Sequence, residues 1–66
     1  MEKYDLVGVN GNAFSVMGYV RNALKNEGLR DLCDEYSNKA MSGDYNNLLS
    51  VSLEYLEKAN EVAEEE

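Results

Sequence analysis

Residues 44–63 read DYNNLLSVSLEYLEKANEVA, and this stretch decides the fold of the 66-residue chain. Its apolar side chains recur at intervals of three and four positions, which is the spacing of one face of an α-helix. Asp44 precedes them, and an aspartate in that position favours helix initiation as the N-cap residue. We therefore predict a long helix over residues 44–63, with an apolar arc that covers rather more than half of its circumference.

Two shorter helices are predicted upstream of this segment. Between residues 13 and 27 the apolar positions again follow helical spacing, with Asn12 as a favourable N-cap and Gly28 as a favourable residue after the last turn. Phe14 and Tyr19 fall on opposite flanks of the apolar face. A narrower apolar stripe lies between residues 29 and 42, and Gly43 follows it. We predict helices over residues 12–27 and 29–42.

The two ends of the chain differ from its middle. Residues 1–11 hold a short apolar, β-branched run before the turn dipeptide Asn10-Gly11, which predicts a short extended N-terminal arm or strand. A strand needs a neighbour, which a second copy can supply. At the other end, residues 64–66 are three glutamates at the negative end of the helix dipole, so we expect them to fray. The prediction is one mainly α, three-helix domain over residues 1–66.

The small size of the chain favours self-association. A domain this small buries only about 60% of the surface of its unfolded chain, so its stability is marginal. Cys33 is the single cysteine and there is no histidine, which excludes an internal disulfide and the commonest metal ligand. The wide apolar arc of the third helix also needs cover from more than one direction. We predict a homodimer.

The charge of the chain argues against direct nucleic-acid binding. The net charge is −7, and the acidic excess lies entirely in residues 34–66. Such a surface repels a phosphate backbone, which lysine and arginine normally neutralise. No apolar run reaches the roughly 20 residues that cross a bilayer, and no signal-peptide pattern begins the chain. We predict a cytoplasmic protein with no membrane contact.

Motifs that would indicate catalysis or a cofactor are not formed. The segment Gly8-Val9-Asn10-Gly11 has neither the third glycine of a dinucleotide-binding turn nor the lysine of a P-loop. Asp31, Asp34 and Glu35 do not follow the ligand order of a calcium loop. Cys33 has no histidine to activate it and falls on the predicted core face. We predict no enzyme activity, no cofactor and no metal site.

The five tyrosines divide between predicted core and predicted interface. Core packing is the simpler interpretation for Tyr36, Tyr45 and Tyr55, whereas Tyr4 and Tyr19 lie at the edges of the apolar pattern. We predict a protein–protein interaction domain whose interface combines the arm with the outer edges of the first and third helices. Its candidate residues are Tyr4, Leu6, Phe14, Tyr19, Val51, Tyr55 and Val62.

Two segments carry a resemblance to known sequences. The run NGNAFSVMG at residues 10–18 and the run SGDYNNLL at residues 42–49 resemble a family of short, uncharacterised bacterial and phage-encoded proteins. That family shares a Gly-Asn-Ala-Phe segment before one helix and a Ser-Gly-Asp-Tyr segment before another. The resemblance covers residues 6–56 and implies a mobile-element origin without catalytic residues. The glutamate-rich end departs from the shorter endings of that family.

An alternative function follows from the acidic half of the chain. Glu54, Glu57 and Glu61, together with the terminal glutamates, can imitate the spacing of phosphates toward a basic protein. The chain would then act as an acidic inhibitor or nucleic-acid mimic. Strong salt dependence of partner binding is the property that separates this alternative from an apolar interface.

Overall fold

A computed structural model describes residues 3–65, and it confirms the predicted three-helix fold. Helix α1 spans Ala13–Asn26, α2 spans Cys33–Ala40 and α3 spans Tyr45–Glu65, with a short 3-10 turn at Arg30–Leu32 before α2. Within residues 3–65 there is no β-strand, and no helix combines the length and the apolarity needed to cross a bilayer.

The ends of α1 follow local chemistry that the sequence predicts. The side chain of Asn12 accepts a hydrogen bond from the Phe14 amide at 2.8 Å, as an N-cap residue does. At the other end Gly28 has a φ of 78°, and the Leu29 amide donates to the Leu24 carbonyl at 2.7 Å. This is a Schellman turn, in which a left-handed glycine lets the chain reverse while the last carbonyls are bonded.

The second helix is shorter than the predicted range of residues 29–42. The Schellman turn bonds the Leu29 amide back to α1, and the next residues form the 3-10 turn before α2 begins at Cys33. After Ala40 the chain turns, and the side-chain amide of Asn47 donates to the Lys39 carbonyl at 3.0 Å. The same carbonyl accepts a hydrogen bond from the Ser42 hydroxyl at 2.7 Å, so an asparagine from α3 and a serine from the turn together bond the end of α2.

The third helix begins as predicted and extends beyond its predicted end. The Asp44 carboxylate accepts a hydrogen bond from the Asn47 amide at 2.9 Å, which confirms the N-cap. The helix continues through Glu65, so Glu64 and Glu65, which the sequence predicts to fray, are helical. Glu66 lies outside the described residues.

The core lies where the three helices meet. The rings of Tyr36 and Tyr55 pack with their centroids 5.3 Å apart, and the Tyr36 hydroxyl bonds to Ser52 Oγ at 2.6 Å. Cys33 is buried, as predicted, and its thiol lies 3.5 Å from the Arg21 carbonyl. The buried apolar residues are Tyr4, Val16, Val20, Ala23, Leu24, Cys33, Tyr36, Ala40, Leu48, Tyr55, Leu56 and Ala59.

The N-terminal arm is bound by its own chain. The Tyr4 amide donates to Asn60 Oδ1 at 2.8 Å, and Asn60 Nδ2 donates to the Tyr4 carbonyl at 3.0 Å. The Tyr4 hydroxyl reaches Glu27 Oε2 at 2.5 Å. A carboxamide on α3 therefore takes the place of the neighbouring strand that the sequence suggests a second copy could supply.

Candidate interaction surface

Several large apolar side chains are left exposed once the core is formed. Phe14 is 84% exposed, Met41 is 64% exposed and Tyr45 is 45% exposed. Val7 and Leu53 are also largely exposed. A single exposed apolar residue is ordinary on a protein surface. Phe14, Met41 and Tyr45 differ from the other two because all three lie on or next to a groove at one end of the bundle.

The groove lies between the first turns of α1 and the junction of α2 with α3, and its volume is about 310 Å³. This volume is at the lower end of the range for pockets that hold small ligands. Asp44 is the one charged residue in its lining, and its carboxylate caps α3. The lining residues are Ala13, Met17, Ala40, Met41, Gly43, Asp44, Tyr45 and Leu48. We call this feature the end groove.

Short-range contacts fix the walls of the end groove. The Tyr45 hydroxyl donates to the Gly11 carbonyl, which joins the turn before α1 to the first turn of α3. Gly43 sits so close to Asn47 that an added Cβ would lie 2.9 Å from the Asn47 Cβ. The absence of a side chain at Gly43 therefore permits the tight turn that brings Met41 and Tyr45 to the same opening.

The structure places the seven predicted interface residues in three different environments. Phe14 is largely exposed. Tyr4 and Tyr55 are buried within the chain, at 7% and 1% exposure, so they belong to the core and not to the accessible surface. The remaining four are half-buried: Leu6, Tyr19, Val51 and Val62.

Two residues of the end groove are not among the predicted interface residues. Tyr45 is predicted as core, and that prediction is wrong because the residue is 45% exposed. Met41 directly follows the last residue of α2 and falls in no predicted pattern. The sequence offers one indication that Met41 is exposed. A methionine just before Ser42-Gly43 places an apolar side chain at the end of a helix.

A second exposed surface is the outer side of α3. Glu54, Glu57, Glu61 and Glu64 are exposed, and their spacing puts them on one face of the helix. Lys58 is the one basic residue of α3. We call these four glutamates the acidic stripe. Within residues 3–65, no three histidine, cysteine, aspartate or glutamate side chains converge as a metal site would require.

Comparison with known proteins adds no relative. No family model, curated protein or solved structure matches the chain. The resemblance carried by residues 10–18 and 42–49 stays a prediction. These two segments nevertheless meet in the fold, because Ala13 and Met17 come from the first, and Tyr45 and Leu48 from the second, to line the end groove.

Proposed function

We propose that this chain is a cytoplasmic protein-interaction domain that acts by binding and not by catalysis, with the end groove as its binding surface. The observation that carries the proposal is the groove of about 310 Å³ with Met41 and Tyr45 exposed in its lining. Phe14, the most exposed aromatic residue, stands beside it on the first turn of α1. Apolar surface that is concentrated in this way is typical of interaction sites.

The chemistry of these side chains supports binding to protein. Aromatic residues and methionine are enriched at the centres of protein interfaces. Methionine adapts its shape to different apolar partners, and tyrosine offers a ring with a polar end. Each Å² of apolar surface removed from water contributes roughly 25 cal/mol, so an occupant of the groove gains affinity from burial alone.

The groove is also held in place before an occupant arrives. The Tyr45 bond to Gly11 and the Asn47 bond to Lys39 fix two of its edges within the isolated chain. A preorganised site loses little conformational entropy when a ligand binds.

Peptide selection followed by binding to matched variants tests this proposal. Peptides selected from a random library on the full chain should bind Met41→Glu about tenfold more weakly or worse, because a charge enters the apolar lining. Leu53→Glu introduces the same charge at a position that is 57% exposed and outside the groove, and it should bind like the wild type. Equal affinity for Met41→Glu and the wild type would refute the groove as the binding surface.

A second candidate function uses the acidic stripe. Its four glutamates face outward on α3, and they would attract a basic protein in the manner of a nucleic-acid mimic. The double change Glu57→Gln with Glu61→Gln should then weaken binding of a polylysine probe, and high salt should abolish it. Unchanged binding of polylysine by the double variant would exclude the stripe as the recognition surface.

A further inference from the structure

We infer that the occupant of the end groove is Phe14 of a second copy of this chain, in a two-fold dimer where each copy inserts its phenylalanine into the other. This inference rests on the proposed function, because it takes the end groove to be a binding surface. It adds to that function the identity of the partner and the residue that enters the groove.

The placement of Phe14 makes the surface self-complementary. Phe14 precedes Met17 by three residues on α1, so its side chain neighbours one that lines the groove. It is itself 84% exposed and is not part of the lining of its own groove. A protruding ring and a matching recess on one surface are what a two-fold interface requires, because each copy then offers both parts.

The exposed area indicates a weak dimer. If a free large side chain exposes roughly 200 Å², then Phe14, Met41 and Tyr45 of two copies together supply about 800 Å². Stable interfaces bury about 1,200–2,000 Å², and transient ones fall below this range. The remaining area must come from the groove floor and the surrounding rim. We therefore expect an equilibrium between monomer and dimer that shifts with concentration.

The charge distribution fits this arrangement better than contact along α3. Two copies of net charge −7 repel one another. Glu54, the nearest residue of the acidic stripe, lies about 13 Å along α3 from Tyr45 and about 180° around the helix. Salt screens the repulsion between the two acidic copies. Docking at the end groove thus keeps the stripes apart, and added salt should tighten the dimer.

Sedimentation equilibrium of the full chain is the first test. With rising concentration, the mean mass should increase from 7.4 kDa toward twice that value, and it should do so more readily at high salt. Phe14→Ala should lower the association constant about a hundredfold, since two buried rings are lost and each is worth roughly tenfold or more. Leu53→Ala, which removes another exposed apolar side chain, should leave it unchanged. Circular dichroism checks that both variants remain helical.

A specific contact provides the second test. The chain has one phenylalanine and three methionines, and Met17 and Met41 line the groove. In a mixture of copies carrying ¹³C-labelled methionine methyls and unlabelled copies, intermolecular nuclear Overhauser effects should join the Phe14 ring to those two methyl groups.

The outcomes separate this inference from the proposed function. A wild-type chain that stays monomeric, or a dimer that Phe14→Ala leaves intact, overturns the inference. If peptides still bind the wild type and fail to bind Met41→Glu, the proposed function stands with a different occupant. If neither dimer formation nor peptide binding depends on the groove, the inference and the proposed function are both wrong.

Discussion

At the scale of single residues, two glycines have opposite effects on stability because their surroundings differ. Gly18 lies in the interior of α1, and a Cβ added there would meet no atom within 4 Å. Gly43 lies in the turn between α2 and α3, where an added Cβ would come within 2.9 Å of the Asn47 Cβ. Glycine in a helix interior is less favourable than alanine, whereas glycine at a close approach is required.

We expect Gly18→Ala to stabilise the chain by about 0.5–1 kcal/mol, because alanine is the better helix former. Gly43→Ala should destabilise it by about 1 kcal/mol or more, since Asn47 must move and its bond to the end of α2 is disturbed. Urea unfolding of each single variant against the wild type measures both effects. If both variants changed the free energy of unfolding by the same amount and in the same direction, the two sites would not differ in packing as described.

At the scale of elements, the start of the arm is attached to α3 through the side chain of Asn60. Asn60 is 6% exposed and forms two hydrogen bonds with the backbone of Tyr4, as donor and as acceptor. A second attachment joins the Tyr4 hydroxyl to Glu27 after the last turn of α1. A third joins the Asp5 amide to the Tyr19 hydroxyl at 3.0 Å. The arm therefore connects the two longest helices without forming a strand.

Replacing Asn60 with leucine should release the arm. The change keeps a similar side-chain size, but it leaves the buried amide and carbonyl of Tyr4 without their partner, at a cost of about 1–3 kcal/mol. Denaturant unfolding gives the loss of stability, and hydrogen exchange of the Tyr4 amide reports the release. Asn46→Leu is the control, because Asn46 is exposed on the same helix. Slow exchange at Tyr4 in the Asn60 variant would show that other contacts hold the arm.

At the scale of the whole molecule, three tyrosines make the fold sensitive to alkaline pH. Burial raises the pKa of Tyr4, Tyr36 and Tyr55 above the ordinary value of 10.0. For Tyr4 and Tyr55, a hydrogen bond to a carboxylate raises the pKa further. The folded chain therefore keeps phenolic protons that the unfolded chain releases near pH 10.

This difference fixes the direction of the pH dependence. The stability from these groups is fully present below about pH 10, and it falls as pH rises through the higher folded-state pKa values, since the unfolded chain then binds fewer protons. We expect the urea midpoint to decline above about pH 10. Tyr36→Phe removes one titrating group and should reduce the steepness of the decline. A midpoint that is flat through this range would contradict the burial of the three hydroxyls.

Much of the fold could be predicted because it depends on neighbours in the sequence. The caps at Asn12 and Asp44 act on amides two or three residues away, and Gly28 ends α1 through bonds to residues within the preceding turns. The apolar periodicity selects the inward faces of α1 and α3. Such interactions form within a single turn of chain, so the residues themselves specify them.

The end groove could be predicted only in part. The sequence predicts Phe14 at the edge of the apolar face, and the residue is 84% exposed. Tyr45 has the same apolar periodicity as the core residues of α3, yet it is 45% exposed. Periodicity shows which way a side chain points, but it does not show how far a covering helix extends.

The sequence by itself determined three helices, the caps of α1 and the N-cap of α3, an acidic outer face and a buried Cys33. The tertiary structure decided that Tyr4 is buried and pairs with Asn60, which is 56 residues away. It also brought Met17, Met41 and Tyr45, which lie in two helices and a turn, to one opening. The physical reason is the sequence separation of the interacting residues. Helix formation depends on residues within a turn of each other, whereas burial and grooves depend on how separate helices pack together.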